Sequence, residues 1–138
     1  MGAFELSFDP GSFQFDRIHG LLRTSYWTPG ISRDRVERAF ANSLAVGAFV
    51  RGEQVGCARL VTDRVSFGYL ADVMVHPDHR GRGLGHAMTR GLLEHPDARG
   101  LRRILLATRD AHGLYADFGF LPLEDPGLFM QLRRTFVP

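Results

Sequence analysis

Apolar positions along the chain fall into short runs broken by Gly, Pro and Asp, and their spacing changes character from run to run. Phe4, Leu6 and Phe8 alternate with polar residues, which predicts a strand over 4–8. Ile18, Leu21 and Leu22 recur at helical spacing and predict a helix from about Asp16 to Arg23. Ser32 is a side-chain cap for a second helix that buries Val36, Ala39 and Phe40. The runs 44–50 and 55–61, joined by Arg51-Gly52-Glu53, predict a hairpin, and 67–75 extends it into a meander. A longer helix over 83–93 places Leu84, Met88 and Leu92 on one side. Beyond it, 105–108 predicts a short buried strand. Asp110 caps a helix over 111–118 that ends at Gly119, and 128–132 supplies a last strand. Meandering strands followed by a crossover helix and another strand give a mixed, mainly antiparallel α/β sheet flanked by helices.

Composition narrows the class. A chain of 138 residues is expected to form a single domain spanning 1–138, large enough to bury a core. With 44% hydrophobic and 23% charged residues it has the balance of a globular protein. A formal net charge of +2 argues against a surface built for nucleic acid or for anionic membrane. No apolar run approaches the eighteen or so residues of a bilayer span, and Met1 to Phe8 lacks a basic stretch followed by an apolar one. The single cysteine, Cys57, excludes an internal disulfide and reads as a small core residue. A cytoplasmic protein is the expectation.

The most informative segment is Arg80-Gly81-Arg82-Gly83-Leu84-Gly85, lying between the apolar run Val73-Met74-Val75 and the third helix. Glycines at alternate positions let the backbone approach a ligand, and free N–H groups opening a helix favour an anion, a diphosphate above all. A P-loop requires a lysine, and every one of the 17 basic residues here is arginine. A dinucleotide fingerprint requires glycine at position 86, which is His86. The spacing that fits is Arg-x-x-Gly-x-Gly over Arg80, Gly83 and Gly85. It resembles the acyl-CoA diphosphate loop of the GNAT superfamily of N-acyltransferases, Gln/Arg-x-x-Gly-x-Gly/Ala. A second family pattern, Asn-x-x-Ala-x-x-x-Tyr-x-x-x-Gly-Phe, is matched downstream by Ala111, Tyr115, Gly119 and Phe120, with Thr108 in place of the asparagine.

The resemblance implies acetyl-CoA as acyl donor and a primary amine, small-molecule or peptide, as acceptor. It implies that amides of Val73, Met74 and Val75 hold the pantetheine arm and the carbonyl oxygen. The loop from Arg80 through Gly81, Arg82, Gly83 and Leu84 to Gly85 would hold the diphosphate, with Thr108 and Ala111 as further cofactor contacts. Nucleic acid and membrane are not expected partners, metal is not expected, and a homodimer stays open as the oligomeric state. Acyl transfer to an amine of pKa about 10.4 needs deprotonation, because roughly a few molecules in ten thousand are neutral at pH 7. Tyr115, a phenol near pKa 10, can protonate a departing thiolate whose acid lies near about 8.5. The resemblance sets that tyrosine beside the thioester; packing of its helix is the bland alternative. Asp72, an acid inside an apolar strand, is read either as a proton relay or as the partner of an arginine, and His76 is a weaker base candidate. Tyr26, Trp27 and Tyr69 are candidate acceptor contacts, with Asp63 behind them, although the loop aromatics are equally well explained as anchors. Two other functions remain: a non-catalytic acyl-CoA-binding or sensor domain, and an RNA-binding module using Arg-Gly-Arg-Gly.

Overall fold

The computed structural model describes residues 3–138. Two compact units make up the chain, one running to Ala107 and one over Thr108–Val137. In the larger unit, strands β1 (Glu5–Ser7), β2 (Leu44–Val50), β3 (Glu53–Thr62), β4 (Phe67–Val75) and β5 (Arg103–Leu105) form one sheet in sequence order. The first three pairings are antiparallel and β4–β5 is parallel, so the sheet is mixed and mainly antiparallel, as the apolar pattern predicts.

Helices α1 (Phe15–Leu22) and α2 (Arg33–Ala41) cover one face. Ser32 Oγ accepts the Arg35 amide at 3.3 Å and caps α2. Ile18 and Leu22 from α1 and Val36 and Phe40 from α2 close over Ala45 and Cys57, with Met74 packed at the margin. Neighbouring residues on a strand point to opposite faces, so Gly56 faces the other side. There α3 (Leu84–Glu94) buries Leu84, Met88 and Leu92. The β2–β3 turn has positive φ at both Arg51 and Gly52 (51° and 79°), the pattern of a type I′ hairpin.

The one irregularity that matters lies between β3 and β4. Cys57 opposes Met74 and Arg59 opposes Ala71, so Ala58 alone faces both Asp72 and Val73. This is a β-bulge on β4, and Asp72 occupies its left-handed position at φ 55°. On the other edge of β4, the ladder to β5 covers only Phe67 to Tyr69. Among the described residues, no strand pairs with that edge beyond Tyr69.

Three expectations need correction. β5 forms at Arg103–Leu105 rather than 105–108, because its register is fixed by Phe67–Tyr69 and by the Arg102 amide on Ser66 O at 3.1 Å. In the smaller unit, α4 spans only His112–Ala116 and Asp110 does not cap it; Thr108 Oγ1 takes the Ala111 amide instead, at 3.1 Å. No strand forms over 128–132. A 3-10 turn at Pro126–Leu128 stands at its start, where proline fixes φ and removes a ladder donor, and no strand offers it a partner among the described residues.

The approach of α3 to the sheet is set by Gly56. A Cβ there would lie 2.9 Å from Met88 Cε and 3.2 Å from the backbone oxygen of Met74. Gly56→Val is expected to cost about 1–3 kcal/mol through overpacking, read as a lower urea midpoint at an unchanged m-value.

Candidate functional site

The C-terminal half of β4 runs from the bulge to an open edge. His76 donates its amide to Val55 O at 2.7 Å, on the β3 side. Along an extended strand the backbone groups alternate in direction, so Val73 and Val75 direct theirs to the opposite, unpaired edge. The Val75 carbonyl indeed accepts Arg80 Nε at 3.0 Å, which ties the following loop back against the strand.

That loop turns twice through left-handed backbone, at Gly81 (φ 77°) and Gly83 (φ 81°), and nothing lies within 4 Å of where a Cβ on either would stand. Gly83 is the N-cap of α3 and carries no side chain, so the helix begins without a side-chain cap. The first amides of a helix have no intrahelical partner. Here the open space at Gly81 and Gly83 lies beside Arg80 and Arg82, at the positive end of the helix dipole. Gly85 comes next, its Cβ position 3.9 Å from both Val73 and Val75 side chains, so helix and strand meet closely. An anionic group fits this arrangement: space, amide donors and positive charge coincide.

Asp72 sits at the bulge with its side chain only 10% exposed. Arg59 Nε donates to one oxygen at 2.6 Å and Trp27 Nε1 to the other at 2.7 Å. The arginine partner weighed from sequence is therefore present, and the indole is a partner that sequence reading missed. Forty-five residues separate Trp27 from Asp72, and no local signal connects them. Arg59 reaches further, with Nη1 on Ser43 Oγ at 3.1 Å. The segment carrying Trp27 is itself tied down: Gly30 donates to Arg23 O at 2.9 Å, and His19 Nε2 meets Ile31 O at 2.9 Å. Tyr26 stands edge-on to Trp27, ring centres 4.9 Å apart. The anchoring reading of these aromatics is met by Trp27, which still leaves 38% of its surface exposed.

Tyr69 lies two residues from Phe67 on the same face of β4 and opposite Val61 of β3; all three are about two-fifths exposed. Asp63 is occupied in its own turn. Its carboxylate accepts the Ser66 hydroxyl and the amides of Ser66, Val65 and Phe67, which hold it well below the usual carboxylate range. His76 accepts the Asp78 amide at Nδ1, 3.1 Å away. No three His, Cys, Asp or Glu side chains converge as a metal site among the described residues.

In the smaller unit, Tyr115 and Gly119 are linked by helix-end geometry. Gly119 has φ 94°; its amide donates to Ala116 O at 3.0 Å, and the Phe120 amide to Tyr115 O at 3.3 Å. This is a Schellman motif, which brings the residue after the glycine onto the residue four before it. The Tyr115 and Phe120 rings accordingly meet edge-on at 6.0 Å. The Tyr-x-x-x-Gly-Phe spacing thus has a local physical reason, and it fixes the orientation of the tyrosine. Thr108 and Ala111 are joined by the hydroxyl–amide bond already described.

Comparison with known proteins places this geometry. The sequence model of the acetyltransferase (GNAT) family matches residues 14–120. Acetyltransferase FG08082 of Gibberella zeae, a protein so named provisionally, is 31% identical over 135 residues, covering 83% of this chain and 76% of that one. Mycothiol acetyltransferase of Amycolatopsis mediterranei is 37% identical over 114 residues, covering 66% of this chain but only 36% of its own length. A crystal structure of a GNAT-family protein from Xanthomonas campestris pv. campestris superposes with a TM-score of 0.92 at 42% identity, over 97% of this chain and 95% of that one.

Cys57 is fully buried next to the bulge, its thiol 3.5 Å from Asp72 O. Burial pushes its pKa up strongly and the Asp72 carboxylate adds to this, against weaker opposition from Arg59 and a Met74 backbone hydrogen bond. Buried and held toward the thiol form, Cys57 fits the small core residue that its place in the strand predicts. Iodoacetamide at pH 8 is expected to leave the native protein unlabelled and to modify Cys57 only after denaturation, as mass spectrometry would read.

Proposed function

Because the chain belongs to the GNAT acetyltransferase family, we propose that it moves the acetyl group of acetyl-CoA to a primary amine by direct attack within a ternary complex. The observation that carries this reading is the uncapped N-terminus of α3, opening behind two left-handed glycines beside the unpaired edge of β4. The diphosphate of the cosubstrate belongs on the amides from Arg82 to Gly85, with the charges of Arg80 and Arg82 beside it. The pantetheine arm belongs along the edge amides of Val73 and Val75. Thr108 and Ala111 are assigned as further contacts to that arm. Pairing an arm with strand amides replaces hydrogen bonds that water otherwise supplies, so its value is orientation more than net affinity.

In the reaction the amine nitrogen bonds to the thioester carbon, and the carbonyl oxygen gathers negative charge. We assign stabilisation of that charge to the amide beside the bulge, since a fixed donor costs no reorganisation as the charge develops. Collapse of the adduct breaks the carbon–sulfur bond, and the thiolate takes the phenolic proton of Tyr115, which is later restored from solvent. The nitrogen's surplus proton goes to Asp72, directly or through one water. Each Asp72 oxygen already accepts one hydrogen bond, and a carboxylate oxygen retains a second acceptor site. Tyr26, Trp27 and Tyr69 border the acceptor's approach.

Release of free thiol from acetyl-CoA in the presence of an amine panel tests the activity; saturable CoA binding with no release from any amine would make the chain a binding domain. Tyr115→Phe is expected to lower kcat by about 10²-fold or more, with little change in CoA affinity. An unaltered kcat across pH would remove the tyrosine from the chemistry. If Asp72 accepts the proton, Asp72→Asn abolishes the acidic limb of the kcat/KM profile. A lower kcat with that limb intact would mean that the carboxylate only holds the bulge and the Trp27 segment in place.

A further inference from the structure

Past the Asp72 ion pair, on the α2 side of the sheet, lies a groove of about 290 Å³ that the reaction described above does not use. Its walls come from α2, through Arg35, Arg38 and Asn42, and from β3, through Arg59 and Val61, with Ser43 between them. Three guanidinium groups line it and no acidic side chain does. Arg35 has no ion-pair partner among the described residues. Arg38 meets Asp34 at 3.6 Å, but both side chains are more than 70% exposed, so that pair screens little of the charge. Arg59 is the link to the reacting end. One edge of its guanidinium is on Asp72 at 2.6 Å and another nitrogen is on Ser43 of the groove wall at 3.1 Å. The groove and the bulge are therefore separated by the width of one guanidinium group. Val61 continues the groove onto the half-exposed sheet face that carries Tyr69, its cross-strand partner.

Resting on the acetyltransferase reading, we propose that the acceptor is an amine that also bears an acidic group, a carboxylate or a phosphate. The acid seats against Arg35 and Arg38, the body of the molecule lies across Val61 and Tyr69, and the amine reaches the bulge at Asp72. The two ends of the site then carry opposite charge in the order the substrate needs: a carboxylate where the ammonium arrives, guanidiniums where the acid rests. A planar guanidinium matches either oxyanion with paired donors. A neutral monoamine would leave the groove's charge unanswered, and a polycationic acceptor would be repelled from it.

The test is thiol release from acetyl-CoA with matched acceptors whose amine and acid lie at opposite ends: 4-(aminomethyl)benzoate against 4-(aminomethyl)benzamide and benzylamine, and O-phosphoethanolamine against ethanolamine. Acid-bearing members are expected to give kcat/KM at least tenfold above their neutral partners, and the two series separate carboxylate from phosphate. Arg35→Ala, an exposed helix position, is expected to raise KM for the preferred acid about tenfold with kcat nearly held, and Arg35→Lys to recover part of the loss. Equal use of neutral and acidic amines, or a KM that Arg35→Ala leaves unchanged, overturns the anionic-acceptor assignment while the acetyltransferase stands. No release from any amine overturns both.

Discussion

One carboxylate organises the centre of this sheet. Asp72 occupies a left-handed backbone position, which for a residue with a Cβ costs about 1 kcal/mol. Two charge-assisted hydrogen bonds from Arg59 and Trp27 offset that strain. These bonds join three elements that the chain order keeps apart: β3, the bulge on β4, and the segment between α1 and α2. Removing the carboxylate would leave Arg59 Nε and Trp27 Nε1 without their acceptor. The same bulge bends β4, and the strand's pairing with β5 has already ended at Tyr69. The anchored aromatic segment follows from the bulge, whereas the unpaired edge begins before it, where the ladder to β5 stops.

The loop after β4 follows a complementary logic. A helix start is ordinarily closed by a serine, threonine or aspartate at its N-cap, as Ser32 closes α2. α3 begins instead with a glycine that can cap nothing, preceded by a second left-handed glycine and flanked by arginines. The contrast within one chain is informative. A glycine at the N-cap gives up about a few tenths of a kcal/mol of local stability against a serine. An anion seated on those amides would supply the missing acceptor.

What could be read from sequence follows from how local each signal is. Strands β2 and β4 have the bounds their apolar runs predict, because Ser43, Arg51 and the turn before Phe67 mark their ends sharply. The first face of α3 was equally legible, since Leu84, Met88 and Leu92 are spaced by four. The glycine loop was legible in its detail, and Gly81 and Gly83 both take the φ that only glycine adopts freely. Where a boundary depends on a partner, the pattern misleads. β5 is placed by a three-residue ladder to β4, and the apolar run 105–108 overshoots it. Residues 128–132 are mainly apolar but follow Pro126-Gly127 and find no ladder among the described residues. At the candidate site the same division holds. Asp72 stood out as an acid within an apolar strand, whereas its indole partner is a contact between distant segments that no periodicity encodes.

The exclusive use of arginine for positive charge fits this architecture. A lysine ammonium is a point charge on a flexible stem, while a guanidinium presents several donors in a fixed plane. Arg59 uses that plane to bond Asp72 and Ser43 together, and Arg17 spans Glu53 at 3.0 Å and the Gln54 carbonyl at 2.5 Å. Arg33 bridges Asp16 of α1 and Glu37 of α2. Arg80 fastens its Nε to the last carbonyl of β4 without losing its charge. In each case one side chain fixes the distance between two elements, which an ammonium with freely rotating donors would do less rigidly. Arg17, Arg33, Arg59 and Arg80 are therefore held to the scaffold rather than trailing from it.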